Sequence, residues 1–576
     1  MTPAARPRKH GRGADQQGRR LVRSRYGILF LVLAAWAPTT PAPASGMVVA
    51  AHPLAVEAGV EVLRDGGNAV DAMVAVQAVL GLVEPQSSGL GGGAFLVHYD
   101  AANGRLTTFD GRETAPIAAG PDWFLDAAGE PLAFWDAVIG GRSVGVPGTP
   151  KLLDAVHARL GRSDWAPLFD AAIRLAEEGF AVSPRLASSI EGARGLDAFA
   201  STAAYFLPEG APLEAGTVLR NPDYASSLRR LATERSAPFY TGDIAAEIAR
   251  TVNGAGGAMT VEDLAAYRVV EREPVCQPYR GLEVCGMGPP SSGGLTVGQI
   301  LGLLQHFDVA SLGAGASFTH LFAEASRLAY ADRAMYMADA DFVAMPTAGL
   351  LDPAYLTARA QLVDPVRANP EARAGNPPWG EATRRAPQVQ PEGGGTSHVS
   401  IVDADGNAVS LTTTIESGFG SRLMAAGFLL NNELTDFSFR SEAQGRAVAN
   451  RVQPGKRPRS SMSPTIVLED GRPVIVAGSP GGARIIGYTA LALVGLIDWN
   501  LEPAEVVRLG HAQNLGRYTD LEEGTAAADL AADLETLGHE VRTLTMTSGL
   551  AIIRIGADGT LEGAADPRRE GVVGQP

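Results

Sequence analysis

Residues 393–402 read Gly393-Gly394-Gly395-Thr396-Ser397-His398-Val399-Ser400-Ile401-Val402. After the three glycines, the alternating residues from Thr396 to Val402 are typical of a β-strand. The turn sequence Asp403-Ala404-Asp405-Gly406-Asn407 follows, and a second strand is predicted from Ala408 to Thr414. This stretch therefore predicts a β-hairpin with a flexible, glycine-rich entrance.

A hydroxyl residue stands at the first position of this strand. Cutting the Gly395–Thr396 bond would make Thr396 a new N-terminus, whose α-amine titrates near about pH 7.7–8.0. Nucleophile and general base would then lie in one residue, without a separate histidine. The nine histidines show no metal-site or catalytic-triad spacing, and there is no G-x-S-x-G elbow. From the residues alone, an autocleaving threonine and an ordinary hairpin are the two interpretations.

The composition limits the class of protein. The chain has 576 residues, 45% of them hydrophobic, which excludes intrinsic disorder. There are 48 basic and 63 acidic side chains, so the net charge of −15 argues against nucleic acid as a partner. Two cysteines cannot form a disulfide scaffold or a four-cysteine zinc site. A large acidic globular enzyme is the class that remains.

The first 44 residues have the pattern of a secretion signal. Eight basic side chains occur between residues 6 and 25, an apolar run extends from Ile28 to Ala37, and small residues follow at Ala42-Pro43-Ala44. We expect cleavage after Ala44 and a periplasmic or secreted mature protein. The alternative is a misassigned start, with Met47 as the first residue of a cytoplasmic protein.

The two cysteines occur in a second predicted hairpin. If Arg280-Gly281 is its two-residue loop, Cys276 and Cys285 lie directly opposite each other. In an oxidising compartment they could form a cross-strand disulfide; otherwise they are two reduced, buried cysteines.

The N-terminal third contains two predicted helices, Pro53 to Arg64 and Ala69 to Val83, the second of them apolar enough to be buried. The glycine run 89–93 precedes a strand, Ala94 to Tyr99, instead of opening a helix. A dinucleotide-binding fingerprint is therefore rejected, and close backbone packing is the better explanation of these glycines.

At this point a resemblance is evident. Several blocks, in the same order, resemble the γ-glutamyltranspeptidases (glutathione hydrolases), and the likeness extends from Gly46 nearly to the C-terminus. The blocks are Gly67-Asn68-Ala69-Val70-Asp71-Ala72, Arg112-Glu113-Thr114-Ala115-Pro116, Gly395-Thr396-Ser397-His398, Asp405-Gly406-Asn407-Ala408-Val409, Thr412-Thr413-Thr414, Phe419-Gly420, Leu429 to Phe437, Lys456 to Pro464, and Gly478-Ser479-Pro480-Gly481-Gly482.

The resemblance implies an α+β fold, the four-layer αββα sandwich of the N-terminal-nucleophile hydrolases. It implies one precursor cut into a large chain, 45–395, and a small chain, 396–576, which form a heterodimer. Its substrates would be small γ-glutamyl compounds, with amino acids or peptides as acceptors, and neither a metal nor a cofactor is expected. No nucleic-acid partner and no stable membrane insertion are expected once the signal is removed.

The resemblance also implies the roles of single residues. Thr396 would be the nucleophile, Thr414 the threonine that positions it, and the backbone N–H groups of Gly481 and Gly482 the oxyanion hole. Arg112 would bind the substrate α-carboxylate, and Ser460 and Ser461 would add hydroxyl donors to the same site. Asp436 would hold the substrate α-ammonium. Taken singly, each has a structural alternative. Arg112 could form a surface ion pair, and Asp436 could cap a helix. The two serines could form a turn, and the two glycines a tight bend.

One position departs from the family. Glu416 stands where the best-studied transpeptidases carry Asn, and Glu433 occupies a position that is Gln or Glu. With Asp436, three carboxylates would then face one ammonium group, which predicts that at least one of their pKa values is raised. Some relatives that act on poly-γ-glutamate or on glutaryl side chains carry a Thr-Ile-Glu sequence like 414–416.

Four functions therefore remain open. They are a glutathione hydrolase or γ-glutamyltransferase, a poly-γ-glutamate depolymerase, a glutaryl-cephalosporin acylase, and a secreted γ-glutamyl-binding protein that is never cut. The span between Asp436 and Ser460 is where the family has a lid over the site, which would limit the size of the substrate.

Overall fold

The computed structural model describes residues 46–379, 385–388 and 394–576. The predicted signal sequence and its cleavage site lie outside the described residues, as does Gly393. Within these ranges, no helix is both long enough and apolar enough to cross a membrane.

The α-helices occur mostly in the first two thirds of the chain. In chain order they are α1 Pro53–Arg64, α2 Ala69–Val83, α3 Phe134–Val138, α4 Thr149–Leu160, α5 Asp170–Glu178, α6 Pro184–Gly192, α7 Ala200–Phe206, α8 Pro222–Glu234, α9 Ala237–Thr241, α10 Asp243–Gly254, α11 Val261–Ala266, α12 Gly293–Leu304, α13 Val309–Leu312, α14 Ala316–Tyr336, α15 Thr347–Leu350, α16 Pro353–Ala360, α17 Ile485–Ile497, α18 Pro503–Val506 and α19 Ala531–Thr536.

The strands occur in both halves of the chain. They are β1 Met47–Ala50, β2 Gly93–Asp100, β3 Arg105–Gly111, β4 Phe180–Ala181, β5 Val218–Leu219, β6 Val270–Arg272, β7 Val275–Tyr279, β8 Leu282–Gly286, β9 Gly395–Val402, β10 Ala408–Glu416, β11 Met424–Ala425, β12 Phe428–Leu429, β13 Glu442–Ala443, β14 Arg446–Ala447, β15 Thr465–Glu469, β16 Arg472–Gly478, β17 Ala512–Asn514, β18 Tyr518–Glu522, β19 Glu540–Leu544, β20 Ala551–Ile555, β21 Leu561–Ala565 and β22 Val572–Gly574.

Two antiparallel sheets hold the molecule together. The larger has the strand order β22-β1-β9-β10-β2-β3-β6, and the second has the order β21-β20-β16-β15-β8-β7. Strands β9 and β10 lie between β1 and β2, and β15 pairs with β8. Strands that follow residue 395 are thus inserted between strands that precede it, so a cut at that point would leave the two parts hydrogen-bonded. The mixed α+β class is confirmed.

Alternate residues of β9 pack on opposite sides of the larger sheet. Val399 and Ile401 join the apolar core formed with α1 and α2. Ser400 is on the other side, where its hydroxyl donates to the Ala551 carbonyl of the second sheet at 3.0 Å. Thr396 is four residues before Ser400, so its side chain points to the same face of the strand, towards the second sheet.

The predicted hairpin is confirmed, with β9 one residue longer at its start and β10 two residues longer at its end. Its turn is tied to the buried helix α2, because Asp403 accepts a hydrogen bond from the Ala69 amide at 2.9 Å. Helix α2 begins with a capping box formed by Asn68 and Asp71, and all its residues are buried. The start of β9 is therefore held by a rigid framework.

The glycine run 89–93 allows close backbone approach, as predicted. A Cβ on Gly92 would overlap with the carbonyl oxygen of Thr414, and one on Gly91 with that of Leu429. Since neither carbonyl belongs to a side chain that could move, only glycine fits at these two positions. This contact places the chain segment before β2 directly behind Thr414.

The cysteine hairpin has the predicted register, with Cys276 opposite Cys285 on β7 and β8. The two residues form a disulfide, so the first of the two alternatives is the one found.

A buried histidine pair predicts acid sensitivity. His320 and His539 are hydrogen-bonded at 2.7 Å, and burial, His320 and Arg327 lower the pKa of His539 to about 4. An unfolded histidine titrates near about 6.5. The stability contributed by neutral His539 is therefore fully present above about pH 6.5 and is lost as the pH falls towards about 4, by on the order of 2 kcal/mol.

We expect His539→Gln to narrow the difference between the Tm values measured by calorimetry at pH 7.5 and pH 5.0. The control is His306→Gln, which changes an exposed histidine and should leave that difference unchanged. Equal Tm differences in His539→Gln and the wild type would contradict the prediction. Burial is also the first cause that lowers the pKa of four other histidines, so part of the acid sensitivity should persist: His52, His98, His398 and His511.

Candidate active site

The predicted nucleophile lines a small pocket at the start of β9, on the side of the larger sheet that faces the second one. Thr396 is buried, and its Oγ1 donates to the carbonyl oxygen of Gly395 at 2.6 Å. Thr414 Oγ1, on the paired strand, donates to the same oxygen, also at 2.6 Å. The two hydroxyl oxygens are 3.4 Å apart. The carbonyl of the bond predicted to be cut is thus held by both threonines.

Nine of the ten predicted site residues line this pocket, and Gly481 adjoins one of them. The free volume is about 20 Å³, room for about one water molecule. The lining residues are Arg112, Thr396, Thr414, Glu416, Glu433, Asp436, Ser460, Ser461, Met462, Gly482 and Ile485.

Arg112 follows β3 and is fully buried. Its guanidinium forms ion pairs with Glu433 and, at 2.5 Å, with Asp436. It also donates to the carbonyls of Pro458 and Arg459 at 3.2 and 3.1 Å. Burial tends to lower the pKa of Arg112, but Glu433 and Asp436 outweigh burial and raise it. A substrate carboxylate must therefore compete with these two side chains for the guanidinium, and the surface-ion-pair alternative for Arg112 is wrong.

The carboxylates of the pocket repel one another, as predicted. Burial raises the pKa of Glu433 well above its usual value; Arg112 opposes this effect, and Glu113, Asp436 and Glu416 add to it. At Glu433 the predicted rise in pKa is found, with burial as its first cause and the neighbouring carboxylates adding to it.

Glu113 is a buried group that the sequence analysis did not assign to the site. It lies 3.9 Å from Arg112, and neither of its carboxyl oxygens has a hydrogen-bond partner among the described residues. Burial raises its pKa to about 7, against the effect of Arg112. The one signal in the sequence was its position beside Arg112, which is weak because neighbouring residues usually point in different directions.

Glu416 ends β10 with a φ of 77°, in the left-handed region. Its carboxylate accepts hydrogen bonds from the hydroxyl of Ser417, at 2.5 Å, and from the side-chain amide of Asn432. Its place in the pocket wall beside Glu433 and Asp436 gives the cluster of three carboxylates that the sequence predicted.

Ser460 and Ser461 belong to a loop that is fixed by hydrogen bonds from two other segments. Ser461 accepts a hydrogen bond from Arg333 at 2.6 Å, and Arg333 also donates to Ser292 at 2.8 Å. Ser292 in turn donates through its hydroxyl to the Ser460 carbonyl at 2.6 Å. Arg333 and Ser292 are positioning residues that sequence reasoning missed, because α14 and α12 are more than a hundred residues away along the chain.

The predicted oxyanion loop follows β16. Gly481 and Gly482 have φ values of 137° and 60°, and a Cβ on Gly481 would lie 2.6 Å from the Tyr488 ring. Among the hydrogen bonds of the described residues, none is donated by the amide of either glycine. These two N–H groups can therefore serve as donors to a reacting oxygen.

The span between Asp436 and Ser460 is packed onto the site. Lys456 is buried and donates to the carbonyls of Ala449 and Arg451 and to the side chain of Gln453, at 2.7, 3.1 and 3.1 Å. Asn450 donates to the Asp436 carbonyl at 2.8 Å. The Lys456 bonds fix the segment predicted to be a lid internally, and the Asn450 bond joins it to the residue predicted to bind the substrate ammonium. Within the described ranges, no group of three or more His, Cys, Asp or Glu side chains could hold a metal ion.

Comparison with known proteins shows which family the chain resembles. Residues 55–575 match the family model of gamma-glutamyltranspeptidase. A glutathione hydrolase proenzyme of Bacillus subtilis (strain 168) is 39% identical over 540 residues, which cover 92% of this chain and 91% of that protein. An acylase ACY 1 proenzyme of Pseudomonas sp. (strain SE83) is 37% identical, with coverages of 92% and 94%. The crystal structure of a cephalosporin acylase from Bacillus halodurans superposes with a TM-score of 0.82 at 26% identity, over 95% of this chain and 99% of that one.

Fold and site thus define an enzyme of the N-terminal-nucleophile hydrolase class. The chain belongs to the γ-glutamyltranspeptidase (glutathione hydrolase) family.

Proposed function

We propose that this chain is a proenzyme that cuts its own Gly395–Thr396 bond and then cleaves γ-glutamyl amides through an ester on Thr396. The position of the Gly395 carbonyl, with its oxygen 2.6 Å from both threonine hydroxyls, is the observation that carries the proposal. Thr396 Oγ1 attacks the carbonyl carbon, and Thr414 donates to the oxygen on which negative charge develops. As the Gly395 C–N bond breaks, the Thr396 nitrogen gains the proton that Oγ1 loses, and the acyl group is left on Oγ1 as an ester. Water then hydrolyses this ester, which leaves a carboxylate on Gly395 and a free α-amine and hydroxyl on Thr396.

In the proposed reaction, Thr396 Oγ1 attacks the substrate γ-carbonyl and its own α-amine takes the proton. The N–H groups of Gly481 and Gly482 stabilise the oxyanion. The substrate amine leaves with a proton, and water or an acceptor amine then attacks the ester, which gives hydrolysis or transpeptidation.

The charges of the pocket support a γ-glutamyl substrate over a glutaryl one. Arg112 provides a guanidinium for the α-carboxylate, and Asp436 and Glu433 already face it. An α-carboxylate on Arg112 would leave these two carboxylates without their cation unless the substrate brings an ammonium group. A γ-glutamyl group carries that ammonium, whereas a glutaryl group does not.

The remaining parts of the proposal concern the layers of the fold, the two chains and the location of the enzyme. The order of the sheets and the helices packed on each support the four-layer αββα arrangement, in which chains 45–395 and 396–576 stay associated as a heterodimer. The secretion-signal pattern of the sequence before residue 45 supports a periplasmic or secreted enzyme. The glutaryl acylase is the second candidate, and the Pseudomonas acylase and the cephalosporin acylase structure favour it.

The test compares kcat/KM for γ-glutamyl-p-nitroanilide and glutaryl-p-nitroanilide, in the wild type and in Asp436→Asn. We expect the wild type to prefer the γ-glutamyl compound by about 100-fold or more, since a buried carboxylate left without the substrate ammonium costs roughly 3 kcal/mol. Asp436→Asn should narrow that preference.

Equal or faster turnover of the glutaryl compound would contradict the proposal and identify an acylase. Release of short fragments from poly-γ-glutamate, faster than turnover of the anilide, would identify a depolymerase. Binding of glutamate without turnover, by a chain that stays whole, would identify a binding protein.

A further inference from the structure

A buried arginine lies behind the nucleophile and takes no part in the mechanism above. Arg569, between β21 and β22, donates from Nη1 to the carbonyl oxygen of Thr396 at 2.7 Å. Nη2 donates to the Thr547 carbonyl at 3.2 Å, and Nε has no hydrogen-bond partner among the described residues. Both of these acceptors are neutral.

Two other buried arginines near the site are paired with carboxylates. Arg112 contacts Glu433 and Asp436, and Arg568, the neighbour of Arg569 in sequence, contacts Glu522 and Asp566. No ion pair joins Arg569 to a carboxylate within the described part of the chain. Burying a cation without a paired anion costs free energy. The position of Arg569 beside the nucleophile therefore indicates a function.

Arg569 is held where it is by the segment that also contacts the oxyanion loop. A Cβ on Gly549 would lie 2.7 Å from Cδ of Arg569 and 2.6 Å from Cγ of Pro480. The Gly549 amide donates to Ser479 at 3.1 Å. The guanidinium is thus packed between the start of β9 and the loop that carries Gly481 and Gly482.

We propose that Arg569 is a positioning residue which, through its charge, keeps the α-amine of the mature Thr396 unprotonated near neutral pH. This inference rests on the proposed function, since only the cut chain has that amine. The amine nitrogen is three bonds from the carbonyl oxygen that Arg569 contacts. A positive charge at this range disfavours the protonated form of an amine, and the unprotonated amine is the form that accepts the proton of Oγ1.

The other charged groups near Thr396 explain why such a cation is needed. Glu84 accepts a hydrogen bond from Ser397 at 3.0 Å and pairs with Arg185. The pocket carboxylates face Thr396 from β10 and from the segment after it, and each favours an ammonium. Burial lowers the pKa of Arg569 to about 9, and Arg185 adds to this effect, so the guanidinium remains charged at neutral pH. The charged and titratable groups around Thr396 and Arg569 are Glu84, Glu113, Glu416, Glu433, Asp436, Asp566, Glu570, Tyr488, Arg112, Arg185, Arg333 and Arg568.

The experiment is trace acetylation of the Thr396 α-amine between pH 5 and 10, read by mass spectrometry of the N-terminal peptide of the small chain. It is run on the wild type, Arg569→Met and Arg569→Lys, with kcat/KM measured over the same range. Arg568→Met is the matched control, because it removes an adjacent arginine that does not contact Thr396.

In the wild type we expect a labelling midpoint below the ordinary range of about 7.7–8.0. Arg569→Met should raise the midpoint and the acid limb of kcat/KM by about one pH unit, which is about a tenfold loss of activity on that limb. At pH 9.5 the loss should largely disappear. Arg569→Lys and Arg568→Met should stay close to the wild type.

A wild-type midpoint within or above that range would overturn the inference, and so would a midpoint that is unchanged in Arg569→Met. If Arg569→Met is not cut, Arg569→Gln, which also removes the charge, takes its place with the same expected shift, and a wild-type midpoint within or above that range still overturns the inference. A wild-type chain that stays whole would instead refute the proposed function. The two failures are therefore distinguishable.

Discussion

Replacing Thr396 with Ala is expected to leave a single uncut chain with no measurable turnover. The wild type should separate on denaturing electrophoresis into two fragments, the smaller being residues 396–576, with 181 residues. Both effects have one cause, because Oγ1 of Thr396 is the atom that lies beside the Gly395 carbonyl and the atom that would carry the acyl group. The loss of kcat should be at least about 10⁴-fold, as for other catalytic nucleophiles. Intact mass and anilide hydrolysis measure the two effects.

Two further variants make this result specific. Thr396→Ser keeps a hydroxyl and should still be cut, more slowly. Thr413→Ala removes another buried threonine of the same strand pair, whose hydroxyl has no hydrogen-bond partner among the described residues, and it should be cut like the wild type. Cleavage of Thr396→Ala at the same bond, or a wild type that remains whole, would refute the threonine mechanism.

Arg112→Gln is expected to lower kcat/KM for γ-glutamyl-p-nitroanilide by about 10²–10⁴-fold. The substitution removes the guanidinium expected to bind the α-carboxylate and leaves Glu433 and Asp436 buried without their cation. Cleavage at Gly395 should persist, because Arg112 contacts neither Gly395 nor Thr396 in this structure. Steady-state kinetics of the purified, cut variant measures the loss.

A substrate without the α-carboxylate shows whether the loss is specific. For 4-aminobutanoyl-p-nitroanilide, the wild type and Arg112→Gln should differ by much less than for the γ-glutamyl compound. Arg327→Gln is the matched control, since it breaks a buried ion pair at 2.5 Å, with Glu324, outside the pocket. Similar losses for both substrates would mean that Arg112 has a structural role alone.

Local patterns in the sequence were sufficient for several elements. The spacing of apolar residues predicted α1 and α2 at the bounds that the structure has, and alternation predicted the hairpin of β9 and β10. These features depend on interactions between residues that are close along the chain, so periodicity and turn residues are enough to find them. The domain boundaries at residues 44 and 395 stay predictions.

The site residues were named from a resemblance, and their grouping in one pocket is a property of the tertiary structure. Arg112, Thr396 and Gly482 come from three distant segments, and no periodicity relates them. Glu113 shows the difference most clearly: it stands beside Arg112 in the sequence, but its raised pKa is caused by burial, which outweighs the opposing effect of Arg112 and exists only in the folded chain.

By itself, the sequence determined the class of fold, the strand that carries Thr396, and the kinds of side chain available for catalysis. Only the tertiary structure decided which charges face one another: carboxylates around Arg112, Arg333 behind Ser461, and Arg569 on the Thr396 carbonyl. The physical reason is that strand and helix patterns record whether a residue is buried, whereas electrostatic effects depend on distances between segments that only folding brings together.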